Sequence, residues 1–139
     1  MVVIESHRIL VIDDEPHILN FIEINLVHAG FRVLKAVTGQ QGIDLAFEEG
    51  CSLVLTDLRL PDMDGVEVMQ KIHERLPRLP TIIMTGYGTI DNAVEAMKRG
   101  ARDYLTKPVT IQDVIFRIHK VLEFVDLEGE VQQIGRAHV

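Results

Sequence analysis

The 139 residues include no tryptophan, two tyrosines, five prolines and a single cysteine. One thiol, Cys51, cannot close an internal disulfide, so a packed core must hold the fold. That usage suits a reducing, cytoplasmic setting. No apolar run reaches the ~18–20 residues that a membrane span requires. Residues Met1 to Arg8 are too few and too soon charged for a secretory leader. Positive charge is scarce as well. The formal balance is −7, which leaves no electrostatic footprint for nucleic acid and argues against direct DNA contact by this chain. No G-x-x-x-x-G-K-[ST] loop occurs, and Gly86-Tyr-Gly88 lacks the third glycine of a dinucleotide fingerprint. The six histidines are scattered and form no zinc ligand set with Cys51.

What is present is a domain's worth of apolar residues, 47%, in a regular alternation. Arg8 to Ile12 is a β-branched run that reads as a first strand. Pro16 suits the first position of a helix, and Ile18, Leu19, Ile22 and Leu26 continue it at helical spacing to Gly30. Phe31 to Ala36 alternates with charge and reads as an edge strand. A helix follows from Gly39 to Gly50, with Ile43, Ala46 and Phe47 on one side. Ser52 to Thr56 is a third strand and Val66 to Leu76 a third helix, with Val68, Met69, Ile72 and Leu76 inward. Thr81 to Thr85 is a fourth strand. Ile90, Ala93, Val94 and Met97 mark a fourth helix, in which Met97, like Met69, reads as a packing residue. Arg102 to Thr106 is a fifth strand, and Thr110 caps a last helix carrying Ile111, Val114, Ile115, Ile118 and Leu122.

Central strands that are apolar throughout need cover on both faces, which helices supply. The expected fold is therefore α/β: a doubly wound, flavodoxin-like (βα)5 domain with a five-stranded parallel sheet in the order 2-1-3-4-5.

In such a sheet the functional crevice lies beyond the carboxyl ends of the strands. Asp57, at the end of the third strand, would read by itself as a loop cap. Other strands deliver Asp13 and Asp14, Thr85 and Lys107 to the same edge. Carboxylates ~4 Å apart repel by about 4 kcal/mol each at an effective dielectric of ~20. A hard divalent cation such as Mg²⁺, with Mn²⁺ as an alternative, offsets that repulsion. Lys107 adds a second positive charge suited to a phosphate oxygen, and Thr85 a hydroxyl donor. Together these residues can put a phosphoryl group on Asp57. An Asp-dependent Mg²⁺ phosphohydrolase is the alternative, but it wants a second acid two residues on, where Arg59 stands.

These residues resemble the receiver domain of two-component response regulators. The likeness runs from Arg8 to Leu122 through Val11-Ile-Asp-Asp-Glu-Pro16, Asp57-Leu-Arg-Leu-Pro-Asp-Met-Asp-Gly65, Met84-Thr-Gly86 and Tyr104-Leu-Thr-Lys-Pro108. The resemblance implies a phosphoacceptor switch and not a free-standing enzyme, with Asp57 taking phosphate from a sensor histidine kinase. It implies Mg²⁺ held by Asp14, Asp57 and the main-chain carbonyl of Arg59, with Asp13 acting through water. Thr85 and Lys107 would bind the phosphoryl group, and Thr85 and Tyr104 would form the switch pair. Lys107-Pro108 would be a cis peptide. Arg59 and Tyr87 would tune phosphoryl lifetime.

The stretch from Thr85 to Pro108 is similar, more narrowly, to receivers of the nitrogen-regulatory, sigma-54-activating class (NtrC-like), which control transcription. Residues 1–124 then form the receiver. Residues 125–139 form a helical extension or a linker to an output domain. Ile111, Val114, Ile118, Val121 and Val125 fall at seam spacing, interrupted at Glu128 and Gly129. A homodimer through the fourth helix and fifth strand, or through this last helix, is the expected assembly.

Overall fold

A computed structural model describes residues 7–86 and 90–137, with side chains through residue 125. Five strands alternate with five helices: β1 (Arg8–Ile12), α1 (Pro16–His28), β2 (Arg32–Ala36), α2 (Gly39–Glu48), β3 (Leu53–Asp57), α3 (Gly65–His73), β4 (Thr81–Thr85), α4 (Ile90–Lys98), β5 (Asp103–Thr106) and α5 (Ile111–Ala137). The sheet order is β2-β1-β3-β4-β5 and every pairing is parallel, as the alternation predicted. β3 and β4 are buried along their whole length, whereas β2 is half solvated, as its charges require of an edge.

Side chains alternate across the pleat, so one apolar run feeds two cores. Ile9, Val11, Leu53, Leu55, Ile82, Met84 and Leu105 point to one face. There they meet Leu19, Ile22 and Leu26 of α1 and Val114, Ile118 and Leu122 of α5. Leu10, Ile12 and Val54 point the other way, onto Ile43 and Ala46 of α2 and Val68 and Ile72 of α3. A smaller group of Met69, Ile83, Ala96 and Ala101 lies under α3 and α4. Each fully buried aliphatic side chain contributes roughly 1.5–3 kcal/mol.

The helix stops are built as the glycines suggest. Gly30 and Gly100 have φ of 100° and 115°. The next amides, Phe31 N and Ala101 N, reach back to Leu26 O and Ala96 O at 3.0 Å in each case. That 6→1 bond closes the orphan carbonyls of α1 and α4 and needs a left-handed residue, which glycine adopts without strain.

Three expectations fail, each for a physical reason. The apolar repeat of α4 faces outward: Ile90, Val94 and Met97 are 83%, 46% and 45% exposed, and Ala96 is the buried residue. Met97 is therefore a surface residue. α3 ends at His73, so Leu76 lies beyond it and is 37% exposed. β3 runs one residue further than expected and takes in Asp57. α5 itself is one continuous helix to Ala137.

Candidate functional site

The parallel ladder places the polar residues. After β1 the Asp13 N–H donates to Ala36 O at 3.1 Å, and after β3 the Leu58 N–H donates to Met84 O at 2.7 Å. After β5 the Lys107 N–H donates to Thr85 O at 2.7 Å. Each strand is thus extended one step past its end, and Asp13, Asp57 and Lys107 are fixed at the carboxyl edge.

There the side chains converge. Asp13, fully buried, accepts from the Glu15 N–H at 2.9 Å through Oδ1 and from Lys107 Nζ at 2.8 Å through Oδ2. Lys107 Nζ also lies 3.3 Å from Asp57 Oδ2. The carboxylates of Asp13, Asp14 and Asp57 lie within 4.8 Å of one another, with Asp14 exposed and Asp57 buried. Three negative charges face one positive charge, so a net of −2 remains for a divalent cation to balance. Carboxylate oxygens at a half-open rim fit Mg²⁺ or Mn²⁺ and not a soft metal. Burial pushes the Asp57 carboxyl above the usual carboxylate range. Lys107 opposes that shift, Asp13 adds to it, and the Arg59 backbone N–H opposes it. Burial would lower the Lys107 ammonium, but Asp13 and Asp57 overcome that and raise it.

The loop after Asp57 is tightly built. Gly65 N donates to Leu58 O at 2.7 Å, and Arg59 faces Asp64 in an antiparallel bridge. A Cβ at Gly65 would stand 2.5 Å from the Asp57 carbonyl oxygen, so only glycine allows this approach. Asp64 caps α3 by accepting from the Glu67 N–H at 2.8 Å. The Lys107–Pro108 peptide is cis.

Thr85, fully buried, ends β4 beside this pocket. Tyr104 packs against the Met69–Ile83–Ala96–Ala101 group. Its hydroxyl is buried and has no hydrogen-bond partner among the described residues. Burial raises the phenol pKa, and the nearby Thr85 side chain offsets part of the shift. Asp13, Asp14, Asp57 and Lys107 are therefore brought together, with Thr85 and Tyr104 adjoining. Arg59 is exposed and takes part in a further interaction. Tyr87 lies outside the described residues.

Sequence reasoning missed two carboxylates. Asp64 is signalled locally, because Asp64 and Glu67 have capping-box spacing. Asp62 is not: its carboxylate accepts from Gly39 N at 2.8 Å and Gln40 N at 2.9 Å, more than twenty positions away.

Comparison with known proteins agrees with this geometry. Residues 9–119 match the family described as "Response regulator receiver domain". Among curated relatives, the DNA-binding dual master transcriptional regulator RpaA of Synechocystis is 38% identical over 121 residues, covering 86% of this chain and 50% of that protein. The chain spans about half the length of the curated relatives it matches. Among solved structures, a CheY-like receiver domain protein from Methanospirillum hungatei superposes with TM-score 0.84 at 34% identity, covering 88% of this chain and 98% of that one. The beryllofluoride-activated NtrC4 receiver domain dimer gives TM-score 0.81 at 31% identity, covering 85% and 98%. By motif, fold and family match, this chain belongs to the receiver domains of response regulators.

Proposed function

We propose that the chain is a phosphorylation-controlled switch whose acceptor is Asp57. The observation that carries the reading is Lys107 Nζ bridging Asp13 and Asp57 inside a cluster of three carboxylates. Asp57 is held at the end of a buried strand with one oxygen on Lys107. Its other oxygen attacks phosphorus while the P–N bond of a sensor kinase's phosphohistidine breaks and the imidazole leaves with the bonding pair. Asp14, Asp57 and the Arg59 carbonyl would hold Mg²⁺, and Asp13 would do so through water. When bound, the cation neutralises carboxylate and phosphoryl charge.

Lys107 then passes from Asp57 to a phosphoryl oxygen. Thr85 turns its hydroxyl to another, and Tyr104, whose own hydroxyl has no partner to lose, moves into the space released. The consequence falls on α4, which is seated by Ala96 alone and presents Ile90, Val94 and Met97 outward. That face, with β5 and α5, is the surface for a homodimer or an output domain. The whole protein would regulate transcription, and the likeness to NtrC4 supports the NtrC-like class. Arg59 and Tyr87 would set phosphoryl lifetime.

Incubation with Mg²⁺ and acetyl phosphate should add one phosphoryl group per chain, read by intact mass. Asp57→Asn should abolish the addition. Equal labelling of Asp57→Asn overturns the assignment, and many turnovers of a phosphoester per chain would favour a phosphohydrolase.

A further inference from the structure

The first turn of α2 is capped from outside its own segment. An α-helix begins with amides that have no partner within it. Thr38 Oγ1 serves one of them, accepting from Gln41 N at 3.1 Å. The two before it, Gly39 N and Gln40 N, are served by the two carboxylate oxygens of Asp62. Desolvation alone would raise this exposed carboxyl, but the Gln40 and Gly39 amides, together with those of Asp62 and Met63, outweigh it and lower its pKa. Packing repeats the tie independently: a Cβ on Gly39 would stand 2.6 Å from Met63 Cγ, so the residue after Asp62 is pressed against the helix start.

Asp62 sits in the loop that carries Arg59. That loop's other described ties run to β4 through Leu58 N, back onto itself at Arg59–Asp64 and Gly65–Leu58, and into α3 through Asp64. Asp62 hydrogen-bonds it to α2. Resting on the reading that the Arg59 carbonyl is a cation ligand, we propose that Asp62 is a positioning residue of the cation site. It latches the loop to the start of α2, holds the Arg59 carbonyl in place, and makes the first turn of α2 a sensor of cation occupancy. Linkage requires the effect to run both ways: whatever the latch contributes to cation affinity, the cation returns as stability of the Gly39 and Gln40 bonds.

Calorimetric titration with Mg²⁺ should compare wild type, Asp62→Ala and Thr38→Ala at about 0.1 M and about 1 M salt, where screening lengths are roughly 10 and 3 Å. Asp62→Ala should bind about 5-fold more weakly at both salts, a modest coupling. Thr38→Ala, which removes a cap of the same helix without touching the loop, should keep wild-type affinity. An equal loss in Thr38→Ala, no loss in Asp62→Ala, or a loss that vanishes at high salt overturns the latch. Amide exchange on the wild-type chain needs no variant. Mg²⁺ should slow Gly39 and Gln40 severalfold. A response confined to residues 58–64 overturns the latch and leaves the cation site standing, whereas no Mg²⁺ binding at all sinks both.

Discussion

The layer under α1 and α5 and the layer under α4 cover opposite faces of the same β4, and they are built to different standards. Ile82 and Met84 enter a broad group closed by seven residues of α1 and α5. Ile83 enters a group to which α4 contributes Ala96 alone. Among the described residues, the two buried hydroxyls without partners, Thr81 Oγ1 and Tyr104 Oη, belong to this second face, since Thr81 shares the pleat side of Ile83. The buried and uncomfortably charged Asp57 lies at the nearby edge. One face is optimised for packing. The other, with its edge, retains polar costs that stability alone would remove, as working regions do.

The sharpest way to break this contrast is to truncate each layer. Ile118→Ala, under α5, should cost about 2–5 kcal/mol in urea unfolding. Met97→Ala, on exposed α4, should stay within about 0.5 kcal/mol. Equal costs would mean that α4 is seated as firmly as α5.

The next effect has the opposite sign. Asp57 is raised in the fold, so the folded chain holds its proton more tightly than the unfolded chain does. Stability from this group is present at low pH and lost as pH rises from the ordinary carboxylate value through the raised one. Asp57→Asn should therefore be more stable than wild type at neutral pH without Mg²⁺. The gain should disappear when both are measured at low pH. Thermal unfolding across pH checks both parts, and a loss of stability at pH 7 would contradict them.

The smallest effect sharpens the picture under α4. Tyr104→Phe deletes a buried hydroxyl that has no partner, so it should be neutral or stabilising by up to about 1 kcal/mol. A clear destabilisation in denaturant titration would show that the hydroxyl is satisfied after all.

Much of this was legible in the chain itself. Strand and helix alternation follows from periodicity, and the sheet order follows from handed crossovers. The acidic pocket was legible because Asp13, Asp57, Thr85 and Lys107 each close an apolar run, and parallel topology brings those ends together. Periodicity identifies an apolar face but not whether anything covers it, which is why Met97 reads from the sequence as a packing residue and yet lies at the surface. Leu76 continued a helical spacing after the helix itself had stopped. Asp62 reads locally as a turn residue after Pro61, and its partners Gly39 and Gln40 become neighbours only when α2 and the loop are assembled.

The Lys107 ammonium, 2.8 Å from Asp13 and 3.3 Å from Asp57, has a consequence for ion choice. It is a monovalent cation already in place, tethered at millimolar or higher effective concentration and unable to diffuse away. A free Na⁺ or K⁺ must displace a competitor of equal charge that surrenders no translational freedom when it binds. A divalent ion answers the charge that the lysine leaves over. Selectivity against the abundant monovalent ions would then come from the same side chain to which we assign the phosphoryl group.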